Sequence, residues 1–170
     1  MENLLYERID YKIEETAWGT WRSFMGINGQ LFREFVSHAG IWGLPILHYT
    51  YGRDPATGRR KIARGVFAIG RIAVGVVPIG QLAIGIMPIG QAALGLFFGI
   101  GQLATGLFAV GQFAISVFFA LGQFAVGMIA IGQFAVGLYG IGQIAYATHA
   151  WTPAYKDPAI QQMIRTWLHR

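Results

Sequence analysis

Glycine returns at every fifth position through the middle of this chain: at Gly65, Gly70, Gly75, Gly80, Gly85, Gly90 and Gly95, then Gly101, Gly106 and Gly111, then Gly122, Gly127, Gly132, Gly137 and Gly142, with Ser116 filling the one gap. That beat argues against a helical bundle. Five residues turn an α-helix through about 500°, so successive glycines fall about 140° apart and define no packing seam, unlike the four-residue spacing that lets membrane helices approach. Glycine at this density, together with Pro78 and Pro88, also weakens any helix drawn through the region. The unit reads Gly, a variable residue, a large apolar residue, Ala or Pro, then Val or Ile, as in Gly132-Gln133-Phe134-Ala135-Val136. So short a period points to a solenoid, with short strands separated by glycine corners and each coil hydrogen-bonded to the next.

A ten-residue period is laid over the five-residue one, because every second unit carries glutamine: Gln81, Gln91, Gln102, Gln112, Gln123, Gln133 and Gln143, with Arg71 in the same phase. Coil size is argued from two six-residue units, 95–100 and 116–121, that interrupt the beat. Four units per coil, about 20 residues, place both interruptions at the same corner of adjacent coils and stack Phe97 and Phe98 over Phe118 and Phe119. A ten-residue coil would leave almost no interior. The expected fold is therefore an all-β solenoid, a four-sided β-helix of about 20 residues per coil.

Units such as Gly132-Gln133-Phe134-Ala135-Val136 and Gly80-Gln81-Leu82-Ala83-Ile84 make residues 65–146 resemble the pentapeptide-repeat family, in an unusually hydrophobic, glycine-rich form. The resemblance implies a right-handed quadrilateral β-helix in which Phe113, Phe124, Phe134 and Ile144 point inward while Ala, Val and Ile point out. The small position is Gly here rather than Ala, and the usually polar outer positions are Ala or Pro and Val or Ile. The acidic, DNA-mimicking surface of some members is absent, so that activity does not carry over. The Gly58-Arg59-Arg60 stretch followed by Ala-Ile-Gly repeats also resembles uncharacterised bacterial proteins with glycine-rich apolar repeats, which brings no function.

The flanks read differently. Leu5, Ile9, Ile13, Ala17, Trp21 and Phe24 recur at helical spacing, predicting an amphipathic helix over 2–24, and a second short helix is expected over 30–38, ended by Gly40. Residues 44–52 read as a strand, and Asp54-Pro55 with Gly58 as the turn of a hairpin returning through Lys61 to Arg64. Asp157-Pro158 reads as the N-cap and first turn of a C-terminal amphipathic helix lined by Ile160, Met163, Ile164 and Trp167. The expected organisation is an N-terminal helical segment over 1–40, a strand-hairpin entry over 41–64, a hydrophobic β-helix over 65–148 and a C-terminal helix over 149–170.

Charge sharpens the functional reading. Only 12% of the 170 residues are charged, about half the usual share, and residues 72–155 contain no Asp, Glu, Lys or Arg. A solenoid apolar on both faces must hide its wall in lipid or in another subunit, and a β-helix pairs its backbone groups internally, as spanning a bilayer demands. Arg53, Arg59, Arg60, Lys61, Arg64 and Arg71 cluster beside the apolar segment, which favours contact with anionic headgroups over a nucleic-acid groove. In a 20-residue coil the glutamines form ladders on two opposite walls, where lipid would be costly and a homo-oligomeric contact is expected; the other account is that the amides satisfy one another. Met1 to Glu7 lack the pattern of a secretory signal, so the expected location is a bacterial inner membrane with the basic hairpin on the cytoplasmic side.

No catalytic pattern emerges. His38, His48, His149 and His169 are scattered without metal-ligand spacing, Ser37-His38 adjacency is no triad, Gly99-Ile100-Gly101 lacks a phosphate loop's context, and there is no cysteine. Trp18, Trp21, Trp42, Trp151 and Trp167 all lie outside the repeat, as an interfacial belt or as aromatic core of the caps. The expectation is a non-enzymatic, membrane-embedded β-helix that self-assembles as a scaffold or a pore, with no cofactor, metal or small-molecule substrate. The alternatives are a soluble β-solenoid with apolar walls buried in a large homo-oligomer, and a polytopic α-helical membrane protein.

Overall fold

In the computed structural model, which describes residues 9–26 and 29–168, strands cover most of the chain and one helix closes it. In order these are β1 (Lys12–Thr16), β2 (Gly19–Met25), β3 (Leu31–Ser37), β4 (Gly40–Ile41), β5 (Leu44–Pro45), β6 (Leu47–Tyr51), β7 (Ala63–Ile69), β8 (Ile72–Gly85), β9 (Ile89–Gly95), β10 (Phe98–Trp151) and α1 (Pro158–Leu168). The chain divides into two units, residues 1–81 and 82–170.

In the first unit β1, β2, β3 and β6 form an antiparallel meander, and β6 then pairs in parallel with β7, and β7 with β8. Where the residues are described, the helices expected over 2–24 and 30–38 are replaced by β1, β2 and β3 with the turn between β1 and β2; Leu5 lies outside the described residues. Ile13, Thr16, Thr20, Trp21 and Phe24 are β-branched or aromatic, and such residues favour a half-buried sheet. Tertiary packing then decides: Trp21 lies against Phe35 with ring centroids 4.9 Å apart, and a side chain at Gly19 would run into the Phe35 ring. The outer strand β1 is exposed along its whole length and carries Lys12, Glu14 and Glu15, charges that discourage edge-to-edge pairing. The turn at Asp54-Pro55 is present, with Gly58 N–H donating to Asp54 O at 2.8 Å and Gly58 at φ 63°. It is not a hairpin, however, because Leu47 pairs in parallel with Phe67; residues 52–62 are a loop carrying the chain from one coil to the next.

The coil is half the expected size. Ala63 pairs with Ala73, Gly65 with Gly75 and Ala68 with Pro78, a step of ten residues. In the second unit Ile89 pairs with Ile100 and Gly90 with Gly101, the extra residue coming from the six-residue unit 95–100. There the N–H groups of Phe97 and Phe98 both donate to Ile86 O, at 3.0 and 3.1 Å, as a bulge does. Beyond it a methyl on Gly111, Gly122, Gly132 or Gly142 would overlap the carbonyl oxygen of Gly101, Gly111, Gly122 or Gly132 respectively. Each coil is therefore two five-residue units folded back to back, a two-sided solenoid in place of the four-sided one.

The two-sided coil is possible because its inner positions hold almost nothing. Ala104, Ala109, Ala114, Ala120, Ala125, Ala130 and Ala135 are completely buried and form one continuous column, and Ala63, Ala68 and Ala73 do the same in the first unit. Pro78 and Pro88 take equivalent inner positions. The large side chains face out: Phe113 is 55% exposed, and Phe124, Phe134 and Ile144 are exposed too, which reverses the orientation expected from the family resemblance. On the outer surface Phe97, Phe108 and Phe118 stack in one ladder, and Phe113, Phe124 and Phe134 in another, with centroids 5.5–6.4 Å apart. Phe108 thus stands between Phe97 and Phe118, which the larger coil would have brought together.

The C-terminal helix begins at Pro158, behind the cap the sequence marked at Asp157, and not at residue 149, since β10 continues to Trp151. Asp157 Oδ1 accepts from Ala159 N–H at 2.8 Å, an N-cap, and Ile160 is completely buried.

The inside-out arrangement makes a ranking. Ala125→Leu should destabilise by at least about 1–3 kcal/mol through overpacking, whereas Phe124→Leu, on the open face, should cost under about 1.5 kcal/mol. Denaturant unfolding followed by far-UV circular dichroism checks the order; the four-sided coil predicts the reverse.

Candidate functional site: an apolar wall, a glutamine edge and a basic cleft

The ten-residue step changes where the glutamines lie. Gln91, Gln102, Gln112, Gln123, Gln133 and Gln143 each follow a glycine of one stacked corner, so in the second unit they form a single line along one edge. In the first unit Gln81 N–H donates to Arg71 O at 3.1 Å, one coil step away. The expected pair of opposite glutamine walls is thereby corrected, since a ten-residue phase occurs once per ten-residue coil. The other corner of the second unit presents Leu96, Leu107, Val117, Met128 and Leu138 at the equivalent place. The coils of this unit consequently offer one line of glutamines on a surface largely covered by aliphatic and aromatic side chains. Its coils enclose no lumen, because the completely buried alanine column fills the space between the walls.

The first unit carries the charges. Glu34 on β3 is only 4% exposed, yet it meets three partners: His48 Nε2 at 3.1 Å, Lys61 Nζ at 2.6 Å and Arg22 Nε at 3.4 Å. His48 Nδ1 lies at 2.9 Å from Arg64 N–H and 3.1 Å from Arg64 O, which orients the ring with Nε2 towards Glu34. Burial alone would raise the Glu34 pKa; the hydrogen bonds from His48 and Lys61 and the charges of Lys61 and Arg22 outweigh it and hold the carboxyl down at about 2. Asp54 is held by the Tyr11 hydroxyl and by Arg22 at 4.0 Å, and Arg22 also lies over the Tyr11 ring. Nothing in the sequence flagged this cluster, whose members come from β2, β3, β6 and the 52–62 loop.

Of the six basic residues singled out, Arg53, Arg60, Lys61 and Arg71 line one cleft of about 560 Å³ in the first unit, while Arg59 and Arg64 do not line it. Trp21 packs within the sheet, whereas Trp18 and Trp42 project from turns at 82% and 90% exposure. His149 Nδ1 lies 3.2 Å from Asp157 and its ring stacks on Tyr139, and His38 meets Thr20 at 3.1 Å; His169 and the Trp167 side chain lie outside the described residues. Among the described residues no three His, Asp or Glu are grouped to hold a metal, and no helix is long and apolar enough to cross a membrane. Comparison with protein-family models, with curated proteins and with solved structures finds no match.

The depressed Glu34 carboxyl fixes a pH dependence. A carboxyl whose folded pKa lies below its ordinary 4.5 adds stability that is complete above that value and disappears as pH falls from about 4.5 towards about 2. Glu34→Gln should lower stability at neutral pH by about 1–3 kcal/mol and flatten the acid limb. Acid unfolding followed by tryptophan fluorescence measures both.

Proposed function

We propose that this protein is a non-enzymatic structural element whose second unit inserts into a lipid bilayer as a β-solenoid and assembles with further copies through its glutamine edge. The observation that carries this reading is the inversion of the coil, alanine inside and phenylalanine outside. In water such a surface is a liability; in lipid it matches its solvent. The backbone pairs from coil to coil, which is the condition for β-structure in a bilayer. Five coil steps from Gly90 to Gly142 at about 4.8 Å each make roughly 24 Å, close to the apolar band of about 25 Å on transmembrane barrels.

The single glutamine seam then dictates the assembly. Primary amides facing hydrocarbon are costly, and one edge per solenoid is hidden most simply by a second copy presenting the same edge, an isologous pair, or by a ring with the seams inward. A row built through two walls does not arise, and any conducting path lies between solenoids, since the coil is filled. The basic cluster sets the cytoplasmic side by the positive-inside rule. The soluble alternative keeps the same solenoid and buries the phenylalanine ladders against other copies in place of lipid.

Two measurements separate these readings. Carbonate extraction should leave the protein in the membrane fraction; release would defeat insertion and favour the soluble oligomer. Because the chain has no native cysteine, Gln112→Cys or Gln123→Cys should give disulfide-linked dimers in membranes, while Val117→Cys and Met128→Cys on the opposite corner should not. Equal cross-linking from both corners would remove the glutamine edge as the contact.

A further inference from the structure

The basic cleft of the first unit is a built cavity rather than a loose charge cluster. Its cations arrive on three separately fixed pieces of chain. Arg53 follows Gly52, where the backbone passes so close to β3 that a methyl would overlap the Leu31 carbonyl oxygen. Arg60 precedes Lys61, whose carbonyl accepts from Thr50 Oγ1 at 3.2 Å and so ties the far stem of the loop to β6. Arg71 sits at the corner after β7, with its carbonyl engaged by Gln81 N–H. Gln30 and Gln81 add amides to the lining, and no Asp or Glu takes part in it.

The nearby acids are already committed. Glu34 is engaged by Lys61, His48 and Arg22, and Asp54 by Tyr11 and Arg22. Among the described residues no carboxylate pairs with Arg53, Arg60 or Arg71, so three guanidinium groups face one solvent-filled space uncompensated. Their crowding is felt at Arg60, whose pKa is lowered by desolvation and by the charges of Arg71 and Arg53. An anion would relieve that repulsion, and guanidinium forks match phosphate oxygens in geometry as well as charge.

We propose that this cleft binds a phosphate monoester. Three uncompensated positive charges suit a dianion better than the single charge of a phosphodiester, and a volume of about 560 Å³ admits the phosphate with an organic substituent attached. A nucleic-acid backbone offers only monoanionic diesters spread along a strand, which a single compact cleft tracks poorly. Two sources supply the required group: a free phosphomonoester, or the headgroup of phosphatidic acid at a membrane surface. The second source rests on the membrane reading above; the first does not.

The test uses the full chain purified in detergent. Inorganic phosphate, titrated against chloride at matched ionic strength, should raise the thermal midpoint saturably. Arg60→Gln and Arg71→Gln should each weaken this binding at least tenfold with an unchanged circular dichroism spectrum, Arg60→Lys should weaken it less, and Arg59→Gln, outside the cleft, should leave it intact. No saturable shift beyond chloride, or equal weakening by Arg59→Gln, overturns the site. In a second arm, vesicles of phosphatidylcholine with phosphatidic acid are compared with phosphatidylcholine alone. Preferential retention that is lost in Arg60→Gln assigns the lipid source; phosphate binding without such retention upholds the cleft and assigns it to a soluble monoester. Tighter binding of single-stranded RNA than of phosphate, with the same arginine dependence, overturns the monoester assignment.

Discussion

At the corners of this fold backbone packs directly on backbone. At the stacked corner of the second unit the carbonyl oxygen of one glycine occupies the place where the next coil's glycine would carry its Cβ, as with Gly122 beneath Gly132. A corner that tight reverses the chain after five residues, and the two walls it joins come so close that only a methyl fits between them. Alanine at the fourth place of the unit and glycine at the first are therefore two consequences of one constraint. Gly140 marks its limit: it takes an inner position, and even a methyl there would lie 2.8 Å from the Ala147 Cβ.

An interior of methyl groups contributes little hydrophobic free energy, since the yield is about 25 cal/mol per Å² of apolar surface buried and alanine has little to bury. What holds the coils together is the ladder of backbone hydrogen bonds, supplemented by outward aromatic stacks worth about 0.5–1.5 kcal/mol per ring pair. Such a bond nets only about 1 kcal/mol against competition from water but 4–6 kcal/mol in an apolar medium. The second unit is thus held by backbone hydrogen bonds around a core of methyl groups, while its largest side chains face outward. The first unit follows ordinary aqueous rules, with Phe32 and Phe35 buried, a charged edge strand and its buried carboxylate fully engaged.

The repeat and the C-terminal helix with its Asp157 cap were legible in the sequence because each depends on neighbours a few residues apart. The N-terminal strands were not, because Leu5, Ile9, Ile13, Ala17, Trp21 and Phe24 satisfy a helical period by residue type alone, whereas the sheet that Ile13, Trp21 and Phe24 join is fixed by Phe35 and Tyr49 from later strands. Likewise the Glu34 cluster needs His48 and Lys61, which no local pattern connects to it.

The coil size is also legible in the sequence. Two six-residue interruptions suit a 20-residue coil but do not require one, because an extra residue can be absorbed as a bulge in any coil, as at the shared Ile86 carbonyl here. The stronger clue was the fourth place of the unit, which from residue 63 to 135 holds alanine or proline almost without exception. A four-sided coil encloses a space that large side chains must fill, because native interiors are close-packed. A position that is invariably small, on every unit and at every coil, can face inward only if the opposite wall is a methyl's breadth away. The five-residue glycine beat limits each side to one short strand, and the alanine column then sets the number of sides at two.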